Sequence, residues 1–181
     1  MTFLWHVAGS VAGGGGLGAL LGAVGSYAYD PNGLSERVAV VVLALVMATG
    51  VALDLGAMGA NLPTVRRQVN EDWLHRYRGW VYGFGFGLQL GVGFSTVVGI
   101  SAVYAAFAAA FLSGSAATGL LIGAAFGLVR AGTILTVVTV RRADQLVMVD
   151  ARLRRWDRPA RGLAIAFEGT LLAMAAVAIV M

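Results

Sequence analysis

Five stretches nearly free of charged side chains, at about 5–28, 37–60, 80–112, 118–140 and 162–181, are separated by polar segments that hold most of the ionisable groups. Each stretch reaches or exceeds the twenty or so apolar residues that an α-helix needs to cross a bilayer. The pattern therefore predicts an all-α integral membrane protein of about five transmembrane helices, folded as a single polytopic domain over 1–181. Helix 3 is the anomaly: a straight helix over 80–112 would be roughly 50 Å long, against a hydrocarbon core of about 30 Å. It must tilt, project or break, and Gly91 and Gly93 at its middle mark where a break would fall.

Small residues recur every fourth position on two of these helices. Ser10, Gly14, Gly18, Gly22 and Ser26 lie along helix 1, and Gly83, Gly87, Gly91, Ser95 and Gly99 along helix 3. Such stripes let helix backbones approach closely in lipid, so the two helices are expected to pack on each other. The stripes are offset by 73 residues, and Arg66-Arg67 after helix 2 recur 75 residues later as Arg141-Arg142 after helix 4. These offsets imply a tandem two-helix repeat, 5–67 and 80–142, followed by one extra helix at 162–181.

Charge sets the expected orientation. All 13 basic residues are arginines, and 11 of them fall in the segments 61–79 and 141–161, while the opposite connections carry Asp30 and Glu36 and no arginine. The excess of positive charge places both basic segments and the N-terminus in the cytoplasm and the C-terminus outside, in a bacterial cytoplasmic membrane. Trp5, Trp73, Tyr77, Trp80, Tyr82 and Trp156 near one set of helix ends, with Tyr27 and Tyr29 near the other, fit an interfacial aromatic belt. Arg66, Arg67, Arg141, Arg142, Arg154 and Arg155 are expected to meet lipid headgroups, in short helices lying along the surface.

Composition narrows the chemistry. The chain is 59% hydrophobic and 12% charged, with 26 glycines and no cysteine, and its mean hydropathy is +0.80. Thiol redox chemistry, disulfides and thiolate metal sites are thereby excluded for these residues. Gly13-Gly14-Gly15-Gly16-Leu17-Gly18 matches a dinucleotide fingerprint but has no strand before it. His6 and His75 have no neighbouring ligands at metal spacing and read as interfacial side chains. No cofactor, no metal, no nucleic-acid partner and no enzymatic activity are expected. Four hydrophilic side chains remain inside the spans: Asp54, Gln89, Arg130 and Glu168. The first three lie roughly 17 Å from the cytoplasmic arginines at 1.5 Å per residue, near the bilayer midplane, and Glu168 lies shallower. Charges at that depth cost on the order of 2.5–3.5 kcal/mol each unless they meet a partner, so Asp54 is expected to pair with Arg130.

The glycine-rich Phe84-Gly85-Phe86-Gly87-Leu88-Gln89-Leu90-Gly91 followed by Phe126-Gly127-Leu128-Val129-Arg130-Ala131 resembles the transmembrane domains of the CcdA/DsbD type and the related methylamine-utilisation accessory membrane proteins. The resemblance implies helical units repeated around a broken helix, and transfer of reducing equivalents by paired cysteines. The second implication has no residues to rest on here. Two functions remain: a small transporter or channel-like protein moving an ion, proton or small polar solute past Asp54, Gln89, Arg130 and Glu168, or a non-catalytic membrane subunit or assembly factor of a larger complex. Either is expected to meet membrane lipid and to act as a homo-oligomer or with partner membrane subunits.

Overall fold

The computed structural model describes residues 2–28, 36–56, 78–93, 101–136 and 143–180, all in helices or the turns beside them. The helices are α1 (Thr2–Ala28), α2 (Glu36–Asp54), α3 (Gly79–Val92), α4 (Ala102–Leu112), α5 (Ala116–Gly132) and α6 (Ala143–Val180), with one 3-10 turn at Thr133–Thr136. This is an all-α integral membrane protein.

The expected helix 3 is two helices. Gly93 closes α3 with φ +80° and ψ −51°, and its N–H bonds to the carbonyl of Leu90. That conformation disfavours any side chain. A methyl placed there would also lie 2.8 Å from Phe107 Cζ and 3.0 Å from Phe126 Cε1. Gly93→Ala is therefore expected to lower stability by at least the ~1–2 kcal/mol that a left-handed residue costs, seen as a lower melting temperature in detergent. Ser95 and Gly99 lie outside the described residues.

Other boundaries shift as well. Helix 2 was expected to reach residue 60, but α2 ends at Asp54, and Gly56 follows with φ +73°. The last expected span, 162–181, is only the second half of α6, which begins at Ala143 and runs through Pro159. The surface helix expected within the segment 141–161 is thus continuous with that span from Ala143 onward. Proline removes one intrahelical hydrogen bond without forbidding a helix, and arginine is a good helix former. Between α4 and α5 the chain reverses in three residues, where Gly114 takes φ +56° and the Ser115 Oγ accepts from the N–H of Thr118 at 3.3 Å.

The interior is made of small residues. α1 carries four consecutive glycines, each costing about 1 kcal/mol in a water-exposed helix, yet it runs unbroken because lipid offers its backbone no other partners. One face of α1 meets α3: Gly9 and Gly13 lie on the carbonyls of Phe84 and Leu88, while Gly83, Gly87 and Gly91 lie on those of Thr2, His6 and Ser10. A second face meets α5, where Gly14 faces Gly123, Gly18 faces Gly119, and Gly22 faces Ser115. Ser10 Oγ donates to the carbonyl of Gly127 at 2.7 Å.

The stripes on α1 and α3 meet as expected where Gly87 and Gly91 lie against Ser10 and Gly14, and the α1 stripe Ser10–Gly14–Gly18–Gly22 also lies along α5. On α5 it is matched by a third small-residue row, Gly119, Gly123, Gly127 and Ala131, all buried. Ser26 leaves the pattern, being exposed with its hydroxyl turned to its own Ala23 carbonyl, and Gly25 takes the buried position against Phe111. The large apolar side chains point outward, among them Leu20, Leu45, Leu121, Val129 and Phe167. A surface of that kind is solvated by lipid.

α2 and α6 pack against each other, and α2 also packs against α4; α4 in turn contacts α1 and α5. The short helix after the break thus joins the α1/α3/α5 core to the α2/α6 pair.

Candidate functional site

Of the four polar residues expected inside the spans, Asp54 from the midplane level and the shallower Glu168 come together, and Gln89 and Arg130 do not join them. Asp54 is the last residue of α2, and Glu168 lies on the spanning half of α6. Both are buried, and between them stands Ser101, at the N-terminus of α4. Ser101 donates its backbone N–H to Asp54 Oδ2 at 2.9 Å, and its Oγ lies 2.9 Å from the same oxygen. Its Oγ also lies 3.1 Å from Glu168 Oε2 and 3.4 Å from Oε1.

The break in the third span is what creates this site. A helix that starts inside a membrane exposes N–H groups with no helical partner, in a medium with no water to take them. Asp54 accepts from the first of these. Its carboxylate also sits at the positive end of the α4 dipole, a placement worth about 0.3–1 kcal/mol. Gly50, one turn before Asp54, makes room: a methyl on it would lie 2.7 Å from both Ser101 Cβ and Oγ. Gly50→Ala is expected to push Ser101 off both carboxyls and lower the melting temperature, whereas the same change at Gly162, where a methyl meets nothing within 4 Å, leaves it unchanged.

Ser101 was not picked out by sequence. Serine in a membrane helix ordinarily bonds to a carbonyl of its own preceding turn, as Thr170 Oγ1 does with Ala166 at 2.8 Å. Only the break frees Ser101 for longer-range partners.

A hydroxyl carries one hydrogen. With both carboxyls ionised, Ser101 Oγ can donate to Asp54 or to Glu168 but not to both. One proton on either carboxyl lets it donate to Oγ and makes both contacts hydrogen bonds. The arrangement has the geometry to hold a single proton between two acids on different helices.

An open groove of about 400 Å³ runs along α2 and α4 beside Ser101, walled by Val42, Leu45, Val46, Leu53 and Tyr104. Apart from Thr49 and Ser101 its lining is largely apolar, like the outer surface of the helices.

Arg130 does not meet Asp54. It sits half-buried near the end of α5, with Cζ 5.5 Å from the centroid of Phe126, whose ring meets Phe107 edge-on at 5.6 Å. The reason is packing: α5 lies against α1, α3 and α4, whereas Asp54 ends a helix that packs on α4 and α6. Gln89 is half-buried on α3. The single polar layer inferred from depth is thus divided between the carboxyl cluster and the α3/α5 side.

His6, expected at the interface, is buried at 2% exposure, stacked on Phe86 at 5.4 Å and 29°. Its Nε2 has no hydrogen-bond partner among the described residues. Arg154 and Arg155 are exposed on α6. Arg66, Arg67, Arg141, Arg142 and His75 lie outside the described residues. Among those described, no group of three or more potential metal ligands occurs.

The family model described as the cytochrome C biogenesis protein transmembrane region matches residues 5–171. Curated relatives include methylamine utilization protein MauF of Paracoccus versutus, 32% identical over 171 residues, covering 94% of this chain and 60% of that protein. The protein of the same name from Paracoccus denitrificans is 33% identical over 171 residues, covering 94% of this chain and 58% of that one. The one from Methylorubrum extorquens is 31% identical over 174 residues, covering 94% and 57%. The chain therefore spans about three fifths of the length of the curated relatives it matches. No solved structure matches it. Helices built on small residues around a broken span, and alignment over nearly the whole chain, lead to one assignment: this protein belongs to the cytochrome C biogenesis protein transmembrane region family.

Proposed function

We propose that the protein is a non-catalytic accessory subunit or assembly factor of a bacterial membrane system, acting with other membrane subunits or with a second copy of itself. The observation that carries this reading is the division of its polar residues. Asp54, Ser101 and Glu168 close on one another at the α2/α4/α6 junction, and Arg130 and Gln89 stand on the α3/α5 side of the core. The carboxyls cap a broken helix and fasten three segments together, which is a scaffold's use of charge. Likeness to the methylamine utilization proteins over 94% of the chain supports a place beside a comparable system. The 181 residues carry no cysteine, so that place involves no thiol of this segment. The arginine distribution supports a cytoplasmic N-terminus.

The competing reading, a small transporter, draws on the one hydrogen that Ser101 offers to two carboxyls, since a shared proton is the first requirement of a relay. Reconstitution in vesicles with a trapped pH-sensitive dye separates the two. The accessory reading expects wild type and Glu168→Gln to leak protons no faster than empty vesicles, while the tagged protein, isolated from its native membrane in mild detergent, brings down a stoichiometric membrane partner. Proton flux that vanishes in Glu168→Gln sinks it.

A further inference from the structure

α6 is far longer than a bilayer requires. Its 38 residues span about 57 Å at 1.5 Å per residue, against a hydrocarbon core of about 30 Å. The stretch 160–180, with Glu168 turned into the protein, accounts for one crossing, and residues 143–158 remain beyond it.

That remaining stretch is amphipathic, and its apolar side continues the lipid-facing side of the crossing half. Leu153, Trp156, Leu163, Phe167 and Met174 follow one another at steps of three, four and seven residues, which keeps them on one helical face. They are 48%, 58%, 70%, 65% and 63% exposed. Arg154, Arg158 and Arg161 repeat at the same steps on the other side and are exposed too. A straight α6 would carry Leu153 and Trp156 into water. Pro159 stands at the boundary between the two halves. It leaves the carbonyl of Arg155 without its helical N–H, and sharp helix bends occur at such positions.

We propose that residues 143–158 form an interfacial helix that turns at Pro159 and lies in the headgroup layer of an anionic leaflet. Turning toward lipid keeps the apolar stripe continuous around the inside of the bend, with Leu153 and Trp156 at the acyl boundary. Arg154, Arg155 and Arg158 face the headgroups and water, with Arg152 at the edge of the apolar side one turn from Trp156; these four arginines outnumber Asp144, Asp150 and Asp157 in the stretch, and each basic residue near a negatively charged surface adds to binding. The stripe's continuity with a surface already facing lipid, together with the run of arginines, selects a lipid surface over a protein partner.

The absence of native cysteine permits a clean test on the full chain. Leu153→Cys and Ala151→Cys lie on nearly opposite faces and are both exposed in the wild-type protein. Each variant is nitroxide-labelled and reconstituted into vesicles of phosphatidylethanolamine and phosphatidylglycerol, and its collision rates with oxygen and with a water-soluble nickel chelate are measured. The oxygen-to-nickel ratio is expected to be several-fold higher at 153 than at 151, and the contrast to shrink in vesicles of phosphatidylcholine alone. Nickel access at both positions means that the helix projects straight into water, and overturns the proposal. Protection of both from either reagent means a protein cover and also overturns it, and an unchanged contrast in phosphatidylcholine removes the anionic lipid from it.

Discussion

Gly123→Leu is expected to abolish accumulation of folded protein, while Gly16→Leu accumulates and melts as the wild type does. Both glycines lie in membrane helices, and both changes add the same apolar volume, so propensity and hydropathy predict no difference. Contact predicts a large one. A Cβ on Gly123 meets the carbonyl of Gly14, whereas one on Gly16 meets nothing within 4 Å. Overpacking in an ordinary core costs about 1–3 kcal/mol because neighbouring side chains shift. Here the neighbour is backbone, which can yield only if α1 and α5 separate. Separation would also part Gly18 from Gly119 and Gly22 from Ser115, and stretch the hydrogen bond from Ser10 to Gly127. Helix association in lipid rests on such contacts, because the hydrophobic effect does not favour one apolar partner over another. Gly123→Ala, with one methyl, is expected to lie between, about 2–3 kcal/mol less stable. Fluorescence-detected size exclusion and detergent melts of the three variants provide the check. Equal behaviour of Gly123→Leu and Gly16→Leu would mean that the α1/α5 contact is not what holds the core together.

How much of this was legible in the sequence depends on which physical quantity the pattern encodes. Hydropathy and span length encode the membrane itself, so α1 and the excess length of the third span could be read directly, down to the neighbourhood of Gly93. Spacing encodes which face of a helix is smooth, but not which helix will meet it. The row Gly119, Gly123, Gly127 and Ala131 has the same four-residue period as the other two, and only the packing shows it to be the partner of α1. Depth along the membrane normal placed Asp54 and Arg130 at one level. Level says nothing about direction around the bundle, and the two residues belong to helices with different neighbours. α6 departs from expectation in continuity and not in helicity: arginines and Pro159 mark a polar surface segment, and the helix there runs on into the last span as one element. Ser101 shows the deepest limit. Its role exists only because the helix breaks before it, so no property of the residue or its immediate neighbours announces the role.

Removing the Ser101 hydroxyl is expected to do more harm than neutralising either acid beside it. Ser101→Ala leaves Asp54 with the backbone N–H alone and brings Glu168, 3% exposed, next to a methyl. Losing hydrogen bonds to charged groups costs about 1.5–3 kcal/mol each. Glu168→Gln behaves differently, because the amide can donate to Ser101 Oγ and leave the serine hydrogen for Asp54, so that both contacts survive without a shared proton. Its stability is expected to stay within about 1 kcal/mol of wild type, the scale of an ordinary neutral hydrogen bond. Asp54→Asn keeps an oxygen for the N–H of Ser101 and gives up mainly the charge at the start of α4, about 0.3–1 kcal/mol. The double variant Ser101→Ala with Glu168→Gln closes a thermodynamic cycle in reversible detergent unfolding. If the hydroxyl serves both acids, removing the charge of Glu168 relieves part of the Ser101→Ala penalty, and the two effects fail to add. Strict additivity would mean that Glu168 is held by helix packing alone, and that α6 is fastened to the broken span by its apolar neighbours rather than by the serine between the two carboxyls.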